Sequence, residues 1–163
     1  MTQLSTYKEL WTFIIAMLPI VELRGALPYA LAVGIHPALA IFLSIAGNML
    51  PIPFILLFIR PIFTYLKKLN KLRAFIHRLE EKAFNKSDDV LKYNIIGLAI
   101  FVAIPLPGTG AWTGALIASL LDIRFKTSIL SIGAGVIVAS GLVSGAYYLI
   151  VSGVAPFLQW MIG

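Results

Sequence analysis

The sequence predicts an all-α integral membrane protein. It is read as two inverted repeats, each a re-entrant helical hairpin plus a transmembrane helix, joined by a cytoplasmic basic amphipathic helix. Three observations lead there. The chain has 163 residues, 60% of them hydrophobic and 12% charged, with a mean hydropathy of +0.93, far outside the balance of a water-soluble domain. Its apolar runs come in two lengths, about 11 residues and about 22 to 25, and only the longer crosses a hydrocarbon core of about 30 Å. The short runs come in pairs, and a turn rich in Pro and Gly interrupts each pair.

The first hairpin is predicted over 10–35. Leu10 to Val21 forms one leg and Ala26 to Ile35 the other, each reaching about 16 Å, half of the bilayer. Between them the stretch from Leu18 to Tyr29, L-P-I-V-E-L-R-G-A-L-P-Y, sets Glu22 and Arg24 among Pro19, Gly25 and Pro28. One continuous span would carry Glu22 and Arg24 as a mutually neutralising pair. Three helix breakers crowded around the charges favour the broken form. Charges at that depth are costly unless they line water or a protein interior, so they mark a candidate functional site. The lead Met1 to Glu9 carries offsetting Lys8 and Glu9 where a cleavable signal needs net positive charge, and it is read as part of the mature protein.

His36-Pro37 punctuates the chain before the first span, 38–59, whose polar side chains are Ser44 and Asn48. Both are expected to hydrogen-bond to neighbouring helices, and Pro51 and Pro53 predict a kink or wide turn near one end. The segment 60–93 then carries nine Lys or Arg against Glu80, Glu81, Asp88 and Asp89. Leu66, Leu69, Leu72, Ile76, Leu79 and Ala83 recur at helical spacing among the basic residues. This describes a basic amphipathic helix on a membrane surface, in contact with anionic headgroups and not with nucleic acid. The positive-inside rule makes it cytoplasmic.

The second hairpin is predicted over 94–121: a leg through Ile104, the turn P105-L-P-G-T-G110, and a leg from Ala111 to Leu121. The second span, 127–151, has a small-residue face of Gly133, Gly135, Ala139, Gly141 and Gly145, with Gly141 and Gly145 assigned to packing. The tail 153–163, with Pro156 and Trp160, is expected at an interface. Hairpins that return to their own side leave both net-positive connections, 60–93 and Arg124/Lys126, in the cytoplasm, whereas four plain spans put the second outside. The halves also match by identity, pairing Pro19 with Pro105, G25-A26 with G110-A111, A30-L31 with A115-L116, and L43-S44-I45 with L130-S131-I132.

Cysteine is absent, which excludes disulfides, thiol nucleophiles and Cys-ligated metals. His36 and His77 have no Ser or carboxylate arranged around them as a catalytic or metal site needs, so neither an enzyme nor a cofactor is expected. Half-helices starting at Ala26 and Ala111 aim unpaired N–H groups at the protein centre, where anions are favoured. The candidate binding set is Glu22, Arg24, Gly25, Pro28, Pro105, Pro107, Gly108, Thr109, Gly110 and Trp112. Glu22 is the candidate ion-coupling group, for H+ or Na+; Arg24 offers a forked donor to phosphate or carboxylate.

The segments E22-L-R-G-A-L-P28 and P105-L-P-G-T-G-A-W-T-G-A115 resemble those of the small multidrug export family, and the resemblance covers nearly the whole chain. More distantly, the paired hairpins look like those of the DedA or VTT-domain superfamily. That likeness implies movement of lipids, including polyprenyl-phosphate carriers, with an acidic residue in the first hairpin, which Glu22 matches. It also implies an arginine in the second hairpin, and Pro105 to Gly114 has none. The expected function is a transporter in the cell membrane, a homo-oligomer or a monomer, moving a small amphipathic molecule, drug-like or an anionic lipid phosphate. The alternative is a non-transporting scaffold or partner subunit that uses the glycine-rich face and the basic helix.

Overall fold

A computed structural model describes residues 2–67, 94–106 and 108–162. Among them are seven α-helices and no strand: α1 (Thr2–Met17), α2 (Glu22–Ala32), α3 (Pro37–Met49), α4 (Ile52–Lys67), α5 (Asn94–Ala103), α6 (Ala111–Leu120) and α7 (Phe125–Ile162). Of the expected amphipathic helix, the part beyond Lys67 lies outside the described residues.

The apolar run from Trp11 does not continue through Glu22. It stops at Met17, turns, and restarts at Glu22 as an 11-residue helix. The two helices are antiparallel, because Lys8 Nζ, two and a half turns before the end of α1, donates to Val33 O just past the end of α2, 2.9 Å away. This lysine also satisfies a carbonyl that the helix end leaves without an intrahelical donor. Pro28 sits inside α2 and removes the bond that the Arg24 carbonyl would otherwise accept. α5 and α6, 10 residues each, form the second pair. There Gly114 lies against the Val102 and Leu98 side chains.

Two stretches are long and apolar enough to cross a bilayer: Pro37–Ile59, with 23 residues at a mean hydropathy of 2.1, and Phe125–Gly153, with 29 at 2.0. Only 33% of an 18-residue apolar window in each is buried within the protein. The outward side chains include Phe42, Phe58, Leu130 and Leu149, between 59% and 75% exposed. Water would not tolerate so broad an apolar surface, and hydrocarbon would, so this is a membrane protein. The helix break in the first stretch falls at Leu50–Pro51. That is near its middle, where Pro51 interrupts the hydrogen-bond ladder, and not near an end as the two prolines suggested. The tail continues α7 as helix to Ile162.

The halves pack alike. α1 lies on α3 as α5 lies on α7, while α2 crosses to α7 and α6 to α4. Burial recurs at matched intervals: Leu23, Ala26, Leu27 and Ala30 on α2; Ala111, Gly114, Ala115 and Ala118 on α6. The spans do the same, with Ala40, Ser44, Gly47 and Asn48 against Ser128, Ile132, Gly135 and Val136. Both α2 and α6 also end in one motif, the Ile35 N–H bonding to Ala30 O and the Ile123 N–H to Ala118 O, each at 3.0 Å. The residues before them, Gly34 (φ 82) and Asp122 (φ 54), take the left-handed conformation this motif requires.

This register differs from the one read by identity. Gly114, not Ala111, takes the place of Ala26, and Ile132, not Ser131, takes that of Ser44. The turn from Met17 to Glu22 is shorter than that from Ala103 to Ala111, so matching glycine to glycine slips the later segments. At two crossings the helices touch through glycine. A Cβ on Gly47 would meet the Phe13 carbonyl oxygen and stand 2.9 Å from Ala16 Cβ, and one on Gly135 would stand 2.6 Å from the Ala99 oxygen.

Candidate functional site

The two turns are interlocked by the charges of the first. Glu22 opens α2 with φ 51, a left-handed conformation that costs a side chain-bearing residue on the order of 1–3 kcal/mol. That backbone carries the carboxylate across to the start of α6. The Trp112 N–H donates to Glu22 Oε1 at 3.1 Å, and the Ala111 N–H also bonds the carboxylate. Gly110 leaves the room, since any Cβ there would collide with Oε2. A buried carboxylate, 5% exposed, thus rests on the positive end of a helix from the opposite hairpin.

Arg24 does the corresponding work on carbonyls. Its Nη1 donates to Leu106 O at 2.9 Å. Its Nη2 is shared among Ile104 O at 2.7 Å, Val102 O at 3.3 Å, Thr109 Oγ1 at 3.0 Å and Thr109 O. The Thr109 hydroxyl in turn donates to Ile104 O at 2.7 Å and lies 2.8 Å from Leu106 O. These are the carbonyls that the end of α5 and the irregular turn leave without helical donors. One planar guanidinium gathers them, which a lysine's compact ammonium would not do. The reverse contact comes from Trp112, whose Nε1 donates to Met17 O at 3.1 Å and closes the end of α1.

Glu22 and Arg24 therefore share no direct hydrogen bond, although each lies within the electrostatic reach of the other. Among the described residues, the hydrogen bonds of each run to the second turn and the helices around it. Of the sequence-derived set, the structure brings together Glu22, Arg24, Thr109, Gly110 and Trp112. Gly25 and Pro28 lie farther into α2, while Pro105 and Gly108 are exposed on the turn, the latter at φ 80. Pro107 lies outside the described residues. Gly141 and Gly145 face open space, where an added Cβ would have no neighbour within 4 Å, so internal close packing falls to Gly47, Gly114 and Gly135.

One residue of the site is not singled out by the sequence. Between the hairpins and the spans lies a cavity offering about 10 Å³ to the centre of a water molecule, bounded by Glu22, Arg24, Asn48, Gly110, Val136 and Ala139. That is room for about one water. Asn48 is 2% exposed and its Oδ1 has no protein hydrogen-bond partner; nor has the Ser44 hydroxyl one turn earlier. Neither side chain bridges to a neighbouring helix through these atoms, contrary to expectation. The available signal is position, since Asn48 lies at the centre of an otherwise apolar span.

No curated protein and no solved structure matches the chain. A family model does match over residues 22–142, a range that begins at Glu22, just after the first turn, and contains the second turn, the residues that line the cavity and about the first half of α7. On that match, the chain belongs to the family described as "Putative small multi-drug export protein".

Proposed function

We propose that the chain is an export-class membrane carrier. Two half-membrane hairpins enter from opposite sides, and a small amphipathic molecule passes through a midplane site between them. The reading rests on one arrangement: Glu22 on the start of α6 and Arg24 across the carbonyls of the second turn, each in the opposite hairpin. In a carrier of this plan, irregular backbone at mid-depth must be held by protein, and access changes when one half moves against the other. The matched burial of α2 with α6 supports treating the halves as inverted repeats. The family supports an exported drug-like substrate, and an anionic lipid phosphate is the other class the site chemistry suits. Glu22 is the coupling group, since it is the buried carboxylate at the contact that must open. The protein sits in the cell membrane with 60–93 in the cytoplasm against anionic headgroups.

The direct test is substrate efflux from proteoliposomes, with a panel of lipophilic cations and anionic lipid phosphates. Glu22→Gln keeps the shape of the side chain and removes its charge, and is expected to abolish gradient-driven movement, at least tenfold, while the protein remains folded. Wild-type rates for every substrate would refute the reading. The topology is tested in the cysteine-free background by single cysteines at Ser5, Ser87 and Thr127, labelled with a membrane-impermeant thiol reagent. Ser5 is expected outside and the other two inside; Thr127 outside with Ser5 and Ser87 inside means four plain spans.

A further inference from the structure

Resting on the carrier reading, we propose that the cavity between Glu22 and Asn48 holds one water molecule, and that this Glu22–water–Asn48 unit binds a proton and not sodium. Two independent observations meet there. The first is the size, about 10 Å³ for the centre of a water, next to the carboxylate. The second is Asn48 Oδ1, an acceptor buried to 2% exposure on the wall of the same cavity with no protein donor. A buried carbonyl left without a donor is costly, and a water with one hydrogen on Oδ1 and the other on the carboxylate satisfies both groups.

The surroundings select the ion. Of the side chains on the wall, only Glu22 and Asn48 supply oxygen. A sodium ion needs a shell of several oxygens. The other polar neighbours are the Arg24 guanidinium and the N–H groups that open α6, all of which repel a cation. A proton needs no shell. It adds to the Glu22 carboxylate, giving the neutral acid; the acid then donates to the water oxygen, and the water keeps its bond to Asn48 Oδ1. The Trp112 and Ala111 N–H groups lose a charged acceptor in the same step, which weakens the contact between the hairpins. Arg24 is the one other ionisable group on the wall; α3, α5, α6 and α7 present Asn48, Val102, Gly110 and Ala111, and Val136 and Ala139.

Infrared difference spectra between neutral and acid pH, recorded on the full chain in liposomes, test this without a substrate. The wild type is expected to gain the C=O stretch of a protonated carboxyl that Glu22→Gln loses. Asn48→Ala removes the acceptor and Asn48→Leu also fills the cavity; both are expected to move that band, and replacing choline with sodium is expected to leave it in place. Absence of any Glu22-dependent band, or an unmoved band in the Asn48 variant that stays monodisperse, would overturn the proposal. Suppression of the band by sodium would overturn it in favour of a sodium site. Unchanged transport in Glu22→Gln refutes the carrier reading alone, because the bands are read separately.

Discussion

Arg24→Ala is expected to lower the stability of the protein by about 3–5 kcal/mol, through loss of several charged hydrogen bonds to the second turn, each worth roughly 1.5–3 kcal/mol. The guanidinium reaches the carbonyls of Val102, Ile104, Leu106 and Thr109, and no other side-chain cation is bonded to them among the described residues. For a chain of this size the change corresponds to a fall in Tm of about 6–20 °C. It is measured by the monodisperse fraction of detergent-solubilised protein after heating. Arg24→Lys keeps the charge but cannot fork across carbonyls on two sides, and is expected to fall between the two. A variant Arg24→Ala that melts with the wild type would mean that the interlock contributes nothing.

Gly135→Leu and Gly47→Leu are expected to be the most damaging changes on the spans. Their side chains would be driven into the Ala99 and Phe13 carbonyl oxygens, which are helix backbone and cannot swing aside. The cost lies at the upper end of the 1–3 kcal/mol or so typical of overpacking, and separation of α1 from α3 or of α5 from α7 is expected. Gly141→Leu and Gly145→Leu point into open space and are expected to remain within about 0.5 kcal/mol of wild type. The comparison is made by the same heating assay. Equal damage at all four positions would show that the contacts of Gly47 and Gly135 are not its cause, since helix propensity favours leucine over glycine.

Much of this architecture is legible in the residues themselves. Half-length apolar legs and clustered Pro and Gly are local signals; they locate the second turn and single out Glu22 and Arg24, but the first turn falls at 18–21, so α2 begins at Glu22 and not at Ala26 as the predicted legs have it. The partners of those charges are not legible. Two residues apart, they invite pairing with each other, whereas each bonds to backbone between 78 and 90 positions away. Backbone groups carry no sequence signature, so nothing in P105-L-P-G-T-G110 announces that its carbonyls want an arginine. The repeat is visible but its register slips, because identical letters at G25-A26 and G110-A111 outweigh the burial that pairs Ala26 with Gly114. The average behaviour of asparagine in spans points Asn48 at a neighbouring helix, and only the cavity beside it distinguishes it.

The long sequence separation of these bonds also bears on synthesis. A ribosome delivers Glu22 and Arg24 to the membrane well before Ile104, Thr109 and Trp112 exist, so the first half inserts with two charges that lack their partners. Until the second hairpin arrives, those charges must stay at the interface, hold water, or be shielded by the insertion machinery. The first half is therefore a provisional structure during biogenesis, completed only by the arrival of the second. A chain truncated between the halves would keep both charges without the partners that the second hairpin supplies.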